Sequence, residues 1–241
     1  MFDCKPISTP FAAHFKLSVD SCPKSEEDIE RMCTIPYASV VGNLMYAMVC
    51  TRPDLAFVVS MVSRYMPNLV KDHWNAVKWI LRYVKGSVDI GLVFDRDKAS
   101  SYDVVGFVNS DYGGDLDHMR SIFGYIFSLC SGAISWKAQL QSIAALSTIE
   151  AEYIIATEGV KEATLLREVF LLILVFNRAD SHCSKTKHIN VKYHFIRDTI
   201  AAGEIVVKKV YMSENPIDML TKLLAITKFK HCLDLVDVLH A

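Results

Sequence analysis

Val104-Val105-Gly106-Phe107-Val108-Asn109-Ser110-Asp111-Tyr112-Gly113-Gly114-Asp115 is the stretch on which the fold of this chain turns. Its first five residues are short, apolar and mostly β-branched, which predicts a buried strand. Asn109-Ser110-Asp111 closes that strand, and Gly113-Gly114 signals a turn. An aspartate at the carboxyl end of a buried strand is where α/β sheets usually hold ligand-binding groups, although the same residue would serve equally as a plain turn aspartate. Downstream, residues 124–129 and 133–137 flank Cys130-Ser131-Gly132 and read as a hairpin, with residues 143–146 extending or continuing its second strand. From Glu150 to Phe176 the only Gly or Pro is Gly159, which predicts one long helix. Ser147-Thr148-Ile149-Glu150 fits a capping box at its start. The order is therefore β-β-β-α.

Within that helix, a step of ~100° per residue puts Glu152, Ile155, Ala156, Gly159, Ala163, Leu166 and Phe170 on one stripe. Thr157, Lys161, Thr164 and Glu168 fall opposite. A glutamate on a core-facing stripe is expected to be paired, protonated or metal-bound, because an isolated buried charge costs several kcal/mol or more. Glu152 is accordingly a candidate functional residue, whereas Glu150 is explained by capping.

Upstream, three segments are expected. Residues 1–34 form a polar, Pro-punctuated leader, residues 35–98 a mainly helical segment, and residues 99–241 the α/β part, with the boundary in the polar run around 95–101. Pro53 suits the first turn of a helix reaching about Met66. Asp72 is expected to cap the next helix, whose Trp74, Val77, Leu81 and Val84 face a core and which stops at Gly86. Lys78, Arg82 and Lys85 lie along its outer side as a basic stripe, a pattern shared by ordinary solvated faces and by phosphate-binding helices. A denser basic group holds Lys185, Lys187, His188, Lys192, His194 and Arg197, with Tyr193 and Phe195 interleaved. The nearby His and Cys residues match no familiar zinc spacing.

Several ordered blocks carry a family resemblance across nearly the whole chain. Residues 109–115, Ala133-Ile134-Ser135-Trp136-Lys137 and Ala145-Leu146-Ser147-Thr148-Ile149-Glu150-Ala151-Glu152-Tyr153 resemble the ribonuclease H domain of copia-type retrotransposon Pol polyproteins. Thr186-Lys187-His188-Ile189 through Arg197, and Asn215-Pro216-Ile217-Asp218-Met219-Leu220-Thr221-Lys222, are similar to two later blocks of the same family. Tyr37-Ala38-Ser39-Val40-Val41-Gly42, Thr51-Arg52-Pro53-Asp54 and Arg82-Tyr83-Val84-Lys85-Gly86 resemble the end of the adjoining reverse transcriptase. The resemblance implies a ribonuclease H-like mixed sheet with flanking helices. It also implies cleavage of the RNA strand of an RNA–DNA hybrid by two Mg²⁺ ions about 4 Å apart, held by four carboxylates. Three of these map onto Asp111, Glu152 and Asp218. The motif bearing the third carboxylate of the pattern, and the central strand that carries it, have no counterpart here. Asp180, eight positions before His188, is a poor substitute. Residues 171–176 could form a replacement strand, but the absence of any breaker favours a continuous helix. The resemblance thus implies an impaired nuclease, or a non-catalytic remnant that binds nucleic acid or another partner through the two basic groups. No Tyr-x-Asp-Asp occurs, so the polymerase core is not expected within this chain.

Composition constrains the setting. A net charge of −1 over 241 residues marks no global nucleic-acid binder, so any such surface must be local. Seven scattered cysteines with no C-x-x-C argue against a disulfide framework and for a reducing compartment, cytoplasmic or nuclear. No segment reads as a secretory signal or as a membrane span, so neither secretion nor a membrane partner is expected.

Overall fold

The computed structural model describes residues 4–15, 17–18, 30, 32–67, 69–94, 104–115, 117, 119–175 and 190–240. The first helical layer comprises α1 (Tyr37–Cys50), a 3-10 turn at Pro53–Leu55, α2 (Ala56–Ser63) and α3 (Lys71–Lys85). Pro53 opens the short turn as expected, its missing N–H being no loss there. On α3 the fully buried face is His73, Ala76, Val77, Ile80 and Tyr83, while Trp74, Leu81 and Val84 pack only partly against the core. The start of α3 is capped differently from expectation. His73 Nδ1 accepts the Val70 N–H at 3.2 Å, and its ring stacks on Tyr65 with centroids 4.0 Å apart. Asp72 is left exposed in the first turn, where its charge still favours the helix.

A buried polar knot ties α3 to the turn before α2. The Arg52 guanidinium meets Asp54 at 2.7 Å and donates to the Ser87 carbonyl and hydroxyl at 3.0 and 2.7 Å. Tyr83 adds its hydroxyl to Asp54 at 2.8 Å. Asp54 is fully buried, so these bonds replace the water it gave up on folding.

The strand over residues 104–108 is longer than the sequence suggests. β2 (Val105–Asp115) continues through Asp111 and the two glycines, with an irregularity in register between Asp111 and Asp115. It pairs with β3 (Arg120–Leu129), which pairs with β4 (Gly132–Leu140), in the order β2-β3-β4. A second, two-stranded sheet joins β1 (Ile90–Leu92) to β5 (Val238–His240). All described pairing is antiparallel, where a mixed sheet was expected. Short connections explain this: parallel neighbours need a crossover of a dozen or more residues, and none links β2, β3 and β4. Among the described residues β2 has a strand on one side only. The β3–β4 turn is the expected hairpin, with Cys130 and Ser131 both left-handed at φ 50° and 66°. Residues 143–146 leave the sheet and do not extend β4.

The long helix is present as α4 (Thr148–Val175), so residues 171–175 are helical and no replacement strand forms there. Glu150 N donates to Ser147 Oγ at 3.1 Å, and the Glu150 carboxylate reaches back to the Leu146 N–H at 2.7 Å, one residue earlier than the usual box. α4 packs on β2 through Gly159: a Cβ there would lie 2.5 Å from Val108 Cγ1. Its outer end stays wet, with Leu165 54% exposed and Val169 41%. Helix α5 (Asn190–Ala201) follows, then the short α6 (Asp218–Thr221) and α7 (Ile226–Asp234). The main buried cluster joins Val41, Leu55, Val62 and Ile80 of the helical layer to Ile126, Ile217, Leu220, Phe229 and Val236. One apolar core therefore runs across the boundary region around residues 95–101. Among the described residues no helix is long and apolar enough to cross a membrane.

Candidate functional site

The far end of β2 and α6 pack together and bring Asp111 within electrostatic reach of Asp218. Pro216 and Ile217 lead into α6, and Asn215 Oδ1 accepts the Ile217 N–H at 3.2 Å, fixing the approach of Asp218. Ile217, Met219 and Leu220 are buried against the sheet, which leaves Asp218 at the polar margin of the core, 7% exposed. Three groups hold its carboxylate. Asn109 Nδ2 donates at 3.1 Å, Lys222 Nζ lies at 3.1 Å, and Lys228 Nζ stands 3.9 Å from the other oxygen. Lys228 is itself anchored by the Met212 and Ser213 carbonyls at 2.9 and 2.8 Å.

Asp111 is half-buried beside this group. Burial pushes its carboxyl above the usual aspartate range; the Lys222 charge opposes that rise, and the Asp218 charge adds to it. Gly114 makes room for the side chain, since a Cβ at that position would lie 2.6 Å from Asp111 Oδ2. Close by, Gln141 is buried at the end of β4. Its amide donates to Ala151 O at 2.8 Å and to Ser110 Oγ at 3.4 Å, clamping the start of α4 to β2. Asn109, Gln141, Lys222 and Lys228 escaped the sequence reading. Asn109 and Lys222 lay within the quoted blocks, but nothing in the sequence said which acid they would touch.

Glu152 does not occupy the buried position expected of it. It is exposed, and so are Leu146, Ser147, Thr148 and Ile149 around the helix start. Helical side chains lean toward the N-terminus, so a residue in the first turns covers the turn before it. Here that turn projects past the sheet into solvent. The core-facing part of α4 begins with Ala151 and Ile155 and continues through Gly159 and Val160; Thr157, expected on the outer face, is also buried.

Two Mg²⁺ ions need a converging set of oxygen donors. Among the described residues no group of three or more His, Cys, Asp or Glu side chains converges as a metal site. Asp111 and Asp218 alone, with the Lys222 ammonium already at the Asp218 carboxylate, do not fit such a pair of ions.

The basic groups divide. Arg82 Nε donates to the Lys5 carbonyl at 2.8 Å and Lys85 Nζ to the Cys4 carbonyl at 3.0 Å, so residues 4–5 lie along the α3 stripe. Lys78 is half-buried on the same side. Lys192 and His194 are carried by α5, where Arg197 is exposed. Asp180, Lys185, Lys187 and His188 lie outside the described residues.

The chain is 44% identical to the Retrovirus-related Pol polyprotein from transposon TNT 1-94 of Nicotiana tabacum, over 99% of this chain and 19% of that protein. The chain belongs to the copia-type retrotransposon Pol family. A second Pol polyprotein, from transposon RE2 of Arabidopsis thaliana, is 32% identical over 96% of this chain and 16% of its own length. The chain thus spans less than a fifth of the Pol polyproteins it matches. Secreted RxLR effector protein 161 of Plasmopara viticola is 41% identical over 56% of this chain and 94% of that protein. No family model matches the chain, and no solved structure matches it.

Proposed function

We propose that this copia-type Pol segment joins the end of a reverse transcriptase, residues 35–98, to a ribonuclease H-like part, residues 99–241, and that hydrolysis of RNA in RNA–DNA hybrids is impaired in it. The ancestral chemistry would use Mg²⁺ at Asp111, Glu152 and Asp218. The observation that carries the impairment is the state of these three acids: the Lys222 ammonium pairs with Asp218 and acts electrostatically on Asp111, while Glu152 faces solvent. Among the described residues β2 has a strand on one side only, where the family pattern calls for a further strand, and this supports the same reading. Catalytic groups that act jointly lose most of their effect when one is removed, so turnover should fall by orders of magnitude.

The test is incubation of purified protein with a labelled RNA–DNA hybrid and Mg²⁺. Little or no cleavage is expected. Robust cleavage abolished by Asp111→Asn would overturn the impairment.

Nucleic-acid binding without cleavage is a second reading, favoured by the half-buried Lys78 and the adjoining Arg82 on α3. Retention of a hybrid in a gel shift should then weaken steeply as salt rises, because bound phosphates release counterions. An intracellular site of action fits the thiols of Cys33, Cys50, Cys130 and Cys232, which form no disulfide among the described residues.

A further inference from the structure

A cavity of about 570 Å³ opens between the leader and the outer face of α3, lined by His14, Phe15, Asp72, Asn75, Lys78, Trp79 and Arg82. We infer that it takes a nucleotide, with the base against the aromatic wall and the phosphate at Lys78 and Arg82. This inference rests on the nucleic-acid-binding reading above and names the unit that the α3 face would hold.

The wall is built rather than incidental. Trp79 donates its indole N–H to the Thr9 carbonyl at 3.1 Å, which fixes the ring. His14 and Phe15 meet it edge-on, with centroids 5.4 and 5.7 Å away, and the two rings contact each other at 4.2 Å. The Arg82 guanidinium lies 5.4 Å from the Trp79 centroid and is steadied by the Lys5 carbonyl. Stacking of a base on such a platform works for any base, because each has a π-face. The volume falls within the ~300–1,000 Å³ usual for small-molecule sites.

Charge selects the ligand further. Lys78 makes no ion pair or hydrogen bond among the described residues and so keeps its donors for an incoming anion. Asn75, about one turn before Lys78, adds an amide, and Asp72, nearly two turns before it, a carboxylate. An acidic peptide would meet the two cations but bring no planar base to lie on the aromatic wall. A nucleotide satisfies all of them: phosphate oxygens accept from Lys78 and Arg82, and base amino and carbonyl groups match Asp72 and Asn75. The leader supplies two of the three aromatic rings, so a ligand bound there bridges residues 14–15 to α3.

The nucleotide could be free or could belong to a single strand, and the experiment separates these. Tryptophan fluorescence of the full chain is titrated with AMP in one arm and a short single-stranded adenine oligonucleotide in the other. Of the three tryptophans only Trp79 lines the cavity, so saturable quenching is expected, with Trp74 and Trp136 as the unquenched remainder. Trp79→Phe should abolish the ligand-dependent change, and Lys78→Gln should weaken binding about tenfold. His14→Ala, at an exposed side chain, guards against misfolding of the Trp79 variant and should also weaken binding. Response to AMP assigns a free-nucleotide pocket; response to the oligonucleotide alone assigns a strand-binding one. Quenching that survives in Trp79→Phe, or no response in either arm while a hybrid is still retained in the gel shift, would overturn the pocket alone. Failure of the wild-type chain to respond in either arm and to retain any nucleic acid would overturn both the pocket and the binding reading; retention failing while AMP still quenches would overturn the binding reading alone.

Discussion

Asp111 is a carboxylate held above its usual range mainly because the fold takes it out of water. A group whose folded pKa exceeds its unfolded value contributes its stability at low pH and loses it as pH rises through the folded value. Asp111→Asn is therefore expected to raise the melting temperature at neutral pH. That gain should vanish once the pH falls below the ordinary aspartate range, and calorimetry at the two pH values checks it. Lys222 moderates the effect without cancelling it, since burial is the larger influence. Ser131 presents a different residue-scale problem. It and Cys130 both adopt left-handed backbone at the β3–β4 turn, a conformation that strains an L side chain and that glycine or asparagine usually fills. Ser131→Gly should stabilise the chain by about 0.5–1 kcal/mol in urea denaturation; a loss of stability would mean that the hydroxyl makes a compensating contact.

Helix α4 and strand β2 approach closely because residue 159 has no side chain. Glycine in mid-helix costs about 1 kcal/mol relative to alanine, so its presence there needs a packing reason. The Val108 methyl supplies one. Gly159→Ala should lower stability by about 1–3 kcal/mol despite the better helix former, through overpacking. Adding Val108→Ala should recover much of that loss, and a double-mutant cycle would measure the coupling. If the two changes were simply additive, the contact would not be the reason for the glycine. The hairpin and the long helix were legible in the sequence because each rests on local information: a turn between two apolar runs, and an uninterrupted helical stretch with Ser147 and Glu150 at its start. The extension of β2 through Gly113 and Gly114 was not legible, because paired glycines read as a turn until a partner strand fixes them in a ladder.

The apolar core crosses from the helical layer to the C-terminal elements, and β1, just after α3, pairs with β5 near the C-terminal end of the described residues. Heat unfolding is accordingly expected as one cooperative transition, with the far-ultraviolet circular dichroism and tryptophan curves superimposing. A fragment beginning at residue 99 would leave Ile217, Leu220, Phe229 and Val236 without Leu55, Val62 and Ile80. It should show no cooperative melt; a sharp transition in that fragment would mean that the C-terminal part has a sufficient core of its own.

The sequence by itself determined the hairpin, the long helix, the helical layer before them and the kinship with copia-type Pol proteins, because these depend on residue order and local periodicity. Only the tertiary structure decided that Glu152 faces water and that Lys222 acts on the charges of both Asp111 and Asp218. It also decided that Gln141 clamps the start of α4 and that His14 and Phe15 line a cavity beside Trp79. A helical stripe gives direction around an axis but not how far the neighbouring sheet extends along it. Electrostatic contact between residues a hundred positions apart follows from the packing of α6 on the sheet, which no local pattern encodes.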